Sequence, residues 1–236
     1  MKITALITAR GENTLRDKHL RYIKNKEVIR YPIDIVNKLD FIDAKFLSSD
    51  DDKILEIGES NGFQKIKRPD ELCTPDSLHI DTIKHSIDFI QSNFRIKTDI
   101  LIVLMGNSAT VKEEWIKKSI DLIINNDSIS SVVPVFQNND HHPYRAKRIN
   151  ENGFLNSYFN FGGKEISTNR QELAPNYFIC HNFWTIKLNK LKLDKNGEAP
   201  WKFLGKNVFP IIVDKCFDIH DLDDLKEAEK WLNQVD

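Results

Sequence analysis

The sequence predicts an α/β fold in which helices cover both faces of a mostly parallel β-sheet. Three observations support it: a short apolar segment opens the chain at residues 2–9, a continuous apolar run (DILIVLM) fills residues 99–105, and segments with helical spacing alternate with the strands. A strand that is apolar on both faces is typical of the centre of a parallel sheet. Alternation of strands and helices implies three layers joined by right-handed crossovers.

The first elements follow that order. Residues 2–9 are apolar and end in a polar turn, which indicates a buried strand. Residues 27–39 carry apolar side chains at helical spacing, with Pro32 acceptable only near the first turn. Residues 44–47 form a short strand that enters the sequence SSDDD. This part of the chain therefore predicts a strand, a helix and a second strand.

The middle of the chain continues the alternation. Residues 53–60 are helical, and Gly62 lies where a helix C-cap is expected. Residues 80–94 form an amphipathic helix, with isoleucines spaced along one side. The strand at 99–105 follows, and residues 112–124 form the next helix.

The last part of the chain interrupts this alternation and then returns to it. Residues 131–136 are a strand, whereas residues 137–177 are rich in Asn, Gly, His and Arg and indicate an excursion from the sheet. Residues 182–188 and 208–213 read as further strands. Residues 221–232 form a closing helix, in which Asp221 is a plausible N-cap and Asp224 follows three residues later.

The composition limits the class of protein. A chain of 236 residues is long enough for one large domain, and we expect a single domain over residues 1–236. The net charge of −1 gives no global attraction to nucleic acid or anionic membrane, so any anion site must be local. The three cysteines lack metal-site spacing, which favours a reduced compartment, and no apolar run has the length of a signal or a membrane span. We expect a cytoplasmic protein.

Four polar clusters follow the predicted strands: ARGENTLRDK, SSDDD, GNSAT and DIHD. Ligands bind where the strands of such sheets end, so the clusters should meet in one site. In the first cluster Arg10, Arg16 and Lys18 supply charge, and Gly11 lets the backbone approach an anion, although the loop is neither a P-loop nor a GxGxxG loop. A solvated turn is the alternative interpretation of this loop.

The other clusters also have two interpretations. In SSDDD, Ser and Asp are common helix caps, and a functional role needs one Asp to face the pocket. Arg68 precedes Pro69 and so lies in extended backbone, from which its guanidinium can point into a site. In DIHD, Asp218 shares a face with His220 and suits Mg²⁺, whereas the cap role is favoured for Asp221.

These motifs together resemble those of the CMP–sugar acid synthetases, the acylneuraminate cytidylyltransferases and their relatives. The opening loop resembles that family's ARxxSKxxxxKNL, SSDDD its STDD, and RPDELCTPDS its RPxEL…DT. HHPYR, RQELAP and DIHDLDDLKEAE resemble HHP with a basic residue, RQxLP and DIDTxxDLxxAE. The resemblance spans nearly the whole chain, in the right order.

The resemblance implies a Rossmann-like nucleotidyltransferase fold, CTP and Mg²⁺ as ligands, and a homodimer built by residues 137–177. It implies catalytic roles for Arg10, Lys18 and Asp218, with the metal on Asp218 or Asp221. The implied nucleotide-binding residues are Arg10, Gly11, Arg16, Lys18, His19, Asp50, Arg68, Asp76 and Ser77. The implied acceptor-binding residues are Asn107, Ser108, Arg145, Arg170 and Gln171, with the two arginines meeting the acid group of the acceptor.

Departures from the family pattern fall mostly on the acceptor side. The first loop is one residue shorter than the family's and lacks one lysine, for which Arg16 can substitute. Where the family has QPTSPLR and NGAIY, this sequence has MGNSATV and CHNFW. The second Asp of the family's metal motif is replaced by His220. We therefore expect a cytidylyltransferase whose acceptor is an unusual sugar acid, or else a small phosphorylated or phosphonate compound. A non-catalytic nucleotide-binding relative is the second hypothesis, and the missing glycine fingerprint disfavours an NAD-dependent enzyme.

Overall fold

A mixed eight-stranded sheet forms the centre of the computed structural model, which describes residues 1–11, 14–188 and 197–235. Seven strands follow the order β10-β7-β11-β6-β1-β4-β5, and β12 pairs with β7. They are β1 (Ile3–Thr8), β4 (Ala44–Ser49), β5 (Gln64–Lys67), β6 (Ile100–Met105), β7 (Ser131–Gln137), β10 (Tyr177–Ile179), β11 (Phe183–Lys187) and β12 (Val208–Ile212). Two small hairpins stand apart: β2 (Tyr22–Ile23) with β3 (Lys26–Glu27), and β8 (Lys147–Ile149) with β9 (Leu155–Ser157).

Most of the sheet is parallel, as the sequence predicts. The strand pairs β1/β4, β1/β6, β4/β5 and β7/β12 are parallel, whereas β11 runs antiparallel between β6 and β7, and β10 runs antiparallel to β7. Because β11 is reversed, its first residue lies at the same edge of the sheet as the last residues of β1 and β6. That edge carries the functional site described below.

Five helices lie in the described part of the chain: α1 (Arg30–Asn37), α2 (Asp52–Ser60), α3 (His79–Phe94), α4 (Glu113–Asn125) and α5 (Leu222–Val235). The side chains of β6 alternate between two apolar cores, with Ile102 in one and Val103 in the other. Helices α1, α2 and α4 contribute to the first core and α3 to the second, so the sheet is covered on both faces. The predicted three-layer arrangement is confirmed.

Two elements in the first third of the chain differ from the sequence prediction. Helix α1 begins at Arg30, because residues 22–27 form a hairpin whose turn residues Lys24 and Asn25 have positive φ. Strand β5 was not predicted, since it is four residues long and three of them are exposed. Gly62 follows α2 with φ of 83°, as expected for a residue just beyond a helix C-terminus.

The cysteine pattern, which favoured a reduced compartment, gave no indication of the disulfide that the structure contains. Cys180 and Cys216 form a disulfide, and Cys73 is free. The two partners are 36 residues apart, and they meet because the start of β11 lies beside the segment that follows β12. Their spacing in the sequence gives no sign of this contact. None of the described helices combines the length and apolarity needed to cross a bilayer.

Helix α5 is capped by the residues that the sequence indicates. The Asp221 carboxylate accepts hydrogen bonds from the backbone N–H groups of Asp223 and Asp224, at 2.8 and 2.9 Å. The Asp224 carboxylate accepts in turn from the N–H groups of His220 and Asp221. This reciprocal cap fixes the segment that leads from β12 into the helix.

We expect Asp221→Ala to lower the free energy of unfolding by about 1 kcal/mol, because it removes the side chain that caps α5. Urea unfolding followed by circular dichroism measures this change. Asp223→Ala is the matched control, since Asp223 is exposed and contacts Lys226 on the surface, where ion pairs contribute little. Equal losses in both variants would contradict the capping role.

Candidate functional site

A cavity of about 330 Å³ opens at the edge of the sheet where β1 and β6 end and β11 begins. Thr8 and Met105, the last residues of β1 and β6, form part of its wall. The loop after β1, the segment after β5, the first turn of α3 and the segment after β12 supply the rest. The topology thus brings together segments that lie far apart in the sequence.

Three cations reach this cavity from separate segments. The Arg10 guanidinium donates a hydrogen bond to the carbonyl of Thr74 at 2.7 Å. Arg68 is 5% exposed and donates to the carbonyl of Ser48 at 3.0 Å. The Nζ atom of Lys18 donates a hydrogen bond to the carbonyl of Ile219 at 3.3 Å. Each of the three cations thus has a neutral backbone carbonyl among its hydrogen-bond partners.

One carboxylate, Asp218, faces these cations from the described lining of the cavity. The amide of Asn107 donates to Asp218 and, at 3.2 Å, to the carbonyl of Ile219. His220 Nε2 lies 3.0 Å from the second oxygen of Asp218. Burial lowers the pKa of Lys18, and the nearby Asp218 carboxylate opposes that shift. Three cations and one carboxylate give the described cavity lining an excess of positive charge that suits a polyanionic ligand.

Histidines form much of the remaining wall. His79, in the first turn of α3, shares a hydrogen bond of 2.9 Å between its Nε2 and the Thr8 hydroxyl. Burial lowers the pKa of His79 to about 4 and that of His19 to about 3. The pKa of His181 is also lowered, again mainly by burial. At neutral pH these three rings are therefore uncharged.

The predicted site residues fall into two groups. Those that line the cavity are Arg10, Lys18, His19, Arg68, Ser77, Asn107 and Asp218. Gly11 and Asp50 lie outside it and contact each other, since the Gly11 N–H donates to Asp50 at 2.8 Å. Asp76 is exposed, and Asp221 caps α5. The Arg16 side chain is 92% exposed, lies 3.5 Å from Asp17 and is not part of the cavity lining.

The residues predicted to bind the acceptor do not meet in one site within a single chain. Ser108, in the loop after β6, is buried and does not line the cavity. Arg170 and Gln171 line a second cavity of about 520 Å³ beside the end of β7, where Arg170 forms an ion pair with Asp140. Arg145 donates to the carbonyl of Asp140 at 3.4 Å. Both arginines belong to the excursion that connects β7 to β10.

Several residues of the cavity were not predicted: Thr8, Leu72, His79, Thr82, Met105, His181 and Trp184. Thr8 and Met105 are found by extending the argument about strand ends to the last strand residue itself. His79 and Thr82 follow Ser77 into the first turn of α3. His181 and Trp184 reach this edge only because β11 is antiparallel, and no sequence signal indicated that direction.

Sequence comparisons find similar proteins among the cytidylyltransferases, although no protein-family model matches the chain. A 3-deoxy-manno-octulosonate cytidylyltransferase of Thermodesulfovibrio yellowstonii is 30% identical over 144 residues, which cover 59% of this chain and 55% of that protein. An N-acylneuraminate cytidylyltransferase of Escherichia coli O18:K1:H7 is 30% identical over 87 residues, which cover 36% of this chain and 21% of that protein. The matches thus span about half of the first relative and a fifth of the second.

Solved structures show the fold. A CMP:2-keto-3-deoxy-manno-octonic acid synthetase complexed with CTP superposes over the full length of both chains, with a TM-score of 0.71 and 14% identity. A 4-diphosphocytidyl-2C-methyl-D-erythritol synthase from Anaerococcus prevotii covers 98% of both chains, with a TM-score of 0.65 and 15% identity. The Rossmann-like nucleotidyltransferase fold is confirmed, and so is the resemblance to cytidylyltransferases that act on sugar acids.

Proposed function

We propose that this protein is a cytidylyltransferase, which transfers CMP from CTP to an acidic acceptor and releases pyrophosphate. The observation that carries the proposal is the meeting of Arg10, Lys18 and Arg68 in one cavity opposite Asp218. A nucleoside triphosphate supplies the negative charge that such a cavity favours. The names of the similar proteins support cytidine nucleotides and acidic sugars as the ligand classes.

Nucleotide contacts are assigned from the positions of the side chains. Arg10 and Lys18, which line the cavity together with Asp218, would hold the CTP phosphates, while Arg68 and Ser77 would lie along the cytidine. His19 is buried and uncharged, so its role would be to pack beside the nucleotide. Gly11, Asp50, Arg16 and Asp76 do not line the cavity. Their proposed contacts with the nucleotide would require the loop after β1, or the segment after Arg68, to change conformation when CTP binds.

Asp218 fits the proposed Mg²⁺. Magnesium is held in enzymes by one or two carboxylates together with substrate phosphates and water. Asp218 offers a carboxylate beside the phosphate-binding cations, whereas Asp221 is engaged as a helix cap. No group of three or more metal-ligating side chains occurs in the described residues, so the phosphates of CTP would complete the site. When bound, Mg²⁺ would neutralise phosphate charge.

The chemistry asks mainly for positioning and charge neutralisation. An oxygen of the acceptor attacks the α-phosphorus of CTP, and the bond to the β-phosphate breaks as pyrophosphate leaves. Lys18 and Arg10 stabilise negative charge on the phosphoryl oxygens, because both are fixed before the reaction by backbone carbonyls. Asn107 holds the Asp218 carboxylate in orientation.

The acceptor would be held by Asn107 in the cavity and by the residues of the excursion, Arg145, Arg170 and Gln171. These three lie away from the cavity of their own chain, so the proposal places them at the site of a partner subunit in a homodimer. Exposed apolar side chains in the excursion support the proposed homodimer: Ile149, Phe154 and Leu155 on the β8–β9 hairpin are 72%, 68% and 71% exposed. Exposed apolar clusters of this kind mark protein interfaces.

We expect Leu155→Glu to dissociate the proposed homodimer into monomers, because it places a charge in the apolar hairpin surface. Sedimentation velocity at micromolar concentration measures the change. Ile124→Glu is the matched control, since Ile124 is 42% exposed on α4 and lies outside the excursion. A monomeric parent protein, or an unaltered dimer in Leu155→Glu, would contradict this interface.

The acceptor class has a second candidate, a small phosphorylated or phosphonate compound. The structural likeness to a 4-diphosphocytidyl-2C-methyl-D-erythritol synthase favours it, as does the loss of the family's QPTSPLR motif. The alternative of a non-catalytic nucleotide-binding relative is tested by the same experiment as the proposal. The cytoplasmic location stays a prediction.

The test is a pyrophosphate-release assay with CTP, Mg²⁺ and a panel of acceptors: 3-deoxy-D-manno-octulosonate, N-acetylneuraminate, 2-C-methyl-D-erythritol 4-phosphate and small phosphonates. We expect release with at least one of them and with CTP in preference to ATP, GTP and UTP. Calorimetry with CTP runs beside the assay. Normal CTP binding without release for any acceptor would favour the non-catalytic relative, and absence of CTP binding would overturn both.

A further inference from the structure

Four histidines line the cavity, and three of them are occupied or enclosed. His79 shares a hydrogen bond with Thr8, and His220 contacts Asp218. His19 is only 4% exposed, and its ring is packed under Gly106, where an added Cβ would come within 3.2 Å of His19 Nδ1. The fourth histidine, His181, lines the cavity and is neither hydrogen-bonded in the described residues nor enclosed, so its ring can contact a ligand.

His181 is held by aromatic rings rather than by hydrogen bonds. Its ring centroid lies 5.1 Å from that of Trp201 and 5.9 Å from that of Trp184, with the Trp184 ring nearly perpendicular. Trp184 packs in turn on Phe203 at 5.3 Å, and so is fixed from behind. Within the described ranges, His181 has no hydrogen-bonding protein partner that would occupy its ring nitrogens. Packing thus orients the imidazole and leaves its nitrogens for the cavity.

The charged groups around His181 come from two other elements. Asp218 and His220 approach from the segment after β12, and His79 from the first turn of α3. Burial is the main cause that lowers the pKa of His181, the Asp218 carboxylate acts in the opposite direction, and the nearby His220 acts in the same direction as burial. A neutral imidazole keeps one nitrogen lone pair, with which it can accept a proton.

The position of His181 places it on the acceptor half of the site. In the sheet order, β4, β1 and β6 separate β5, which leads to Arg68, from β11, which His181 precedes. Four strand spacings amount to about 19 Å between those two strands. If the nucleoside lies at the Arg68 side, as the proposed function has it, the β11 side is left for the second substrate, and Asp218 and Lys18 line the same cavity.

We propose that His181 is the general base that takes the proton from the attacking hydroxyl group of the acceptor. The inference rests on the proposed function. The hydroxyl oxygen forms the new bond to the α-phosphorus of CTP, its proton passes to the free ring nitrogen of His181, and the electron pair of the breaking bond leaves with pyrophosphate. An acceptor that attacks through a phosphate oxygen is already ionised and has no proton to give.

The experiment compares His181→Ala and His181→Asn with the parent protein in the pyrophosphate-release assay. The hydroxyl acceptors are 3-deoxy-D-manno-octulosonate and N-acetylneuraminate. We expect kcat to fall about 100-fold, the usual scale for loss of a general base, while the calorimetric Kd for CTP stays within twofold. Added imidazole should restore part of kcat in His181→Ala. His85→Ala, on a histidine of α3 outside the cavity lining and outside the excursion, is the matched control.

The pH profile supplies a second readout. Because the base must be neutral, kcat of the parent protein should fall as the pH drops through the lowered pKa of His181, and this fall should be absent in His181→Asn. An unchanged kcat with normal CTP affinity overturns the base and leaves the transferase proposal intact. Loss of CTP binding in both variants also overturns it, as it would make His181 a nucleotide or structural residue. A parent protein that binds CTP but never releases pyrophosphate refutes the proposed function itself.

Discussion

Replacing Arg10 by alanine is expected to weaken CTP binding about 100-fold. Arg10 lines the cavity directly after β1, and its guanidinium is fixed by the carbonyl of Thr74. Loss of a charge-assisted contact costs about 1.5–3 kcal/mol, and every 1.4 kcal/mol is a factor of ten in affinity. Isothermal titration with CTP and Mg²⁺ measures the change, and the KM for CTP should rise in parallel.

Arg16→Ala is the matched control for this experiment. The two arginines carry the same charge on the same loop, but the Arg16 side chain is 92% exposed and lies beside Asp17. We expect its replacement to change the Kd for CTP less than threefold, since an exposed charge contributes little through water. A large loss in Arg16→Ala with little in Arg10→Ala would show that Arg16 has the role of the missing lysine and that the loop rearranges when CTP binds.

Asp218→Asn is expected to lower kcat by about 10²–10³-fold, the scale on which loss of one electrostatic group in an active site acts. The substitution keeps the size of the side chain and removes the charge that would hold Mg²⁺ near the phosphates. It also removes the negative partner of Lys18, whose pKa is already lowered by burial and would fall further. Steady-state kinetics across a range of Mg²⁺ concentrations measures the effect.

The neighbouring Asp221→Asn separates metal binding from folding. Asn caps a helix nearly as well as Asp, so the helix should remain stable, and Asp221 lies outside the lining of the cavity. We expect kcat to stay within threefold of the parent value. If Asp221→Asn removed Mg²⁺-dependent activity while Asp218→Asn did not, the metal assignment would move to Asp221.

The central layers of the fold were predictable because their signal is local. Strand β6 is apolar at every position, and β1 is apolar except for Thr4 and Thr8; both strands are buried throughout, as expected for strands covered on both faces. The spacing of isoleucines along α3 predicted the face that packs on the sheet, and the structure places Ile83 and Ile90 in the second core. In each case the residues that decide the element are those within it.

Strand direction was not predictable in the same way. Whether β11 runs parallel or antiparallel to β6 depends on the pairing of Trp184 with Val103, residues 81 positions apart in the sequence. Nothing within residues 180–188 encodes that direction, so His181 and Trp184 were assigned to no site. The part of the cavity beside β11 therefore appeared only in the structure.

The clusters of like residues show a third limit. In SSDDD, three adjacent carboxylates have the same chemistry, yet Asp51 caps α2 through the N–H groups of Lys53 and Ile54 while Asp50 contacts Gly11. In DIHD, the roles divide between Asp218 in the cavity and Asp221 at the cap. The composition of the sequence identified the clusters. The local backbone conformation determines which carboxylate caps a helix and which one faces the cavity.

The disulfide between Cys180 and Cys216 has a consequence for the unfolded chain. It closes a loop between residues 36 positions apart, which in the chain-entropy account raises the free energy of the unfolded state by about 4 kcal/mol. Cys180 directly precedes His181, and Cys216 lies two residues before Asp218; both His181 and Asp218 line the cavity. The thiol–disulfide balance of the surroundings therefore sets both how readily this chain unfolds and how firmly the two halves of its cavity are joined.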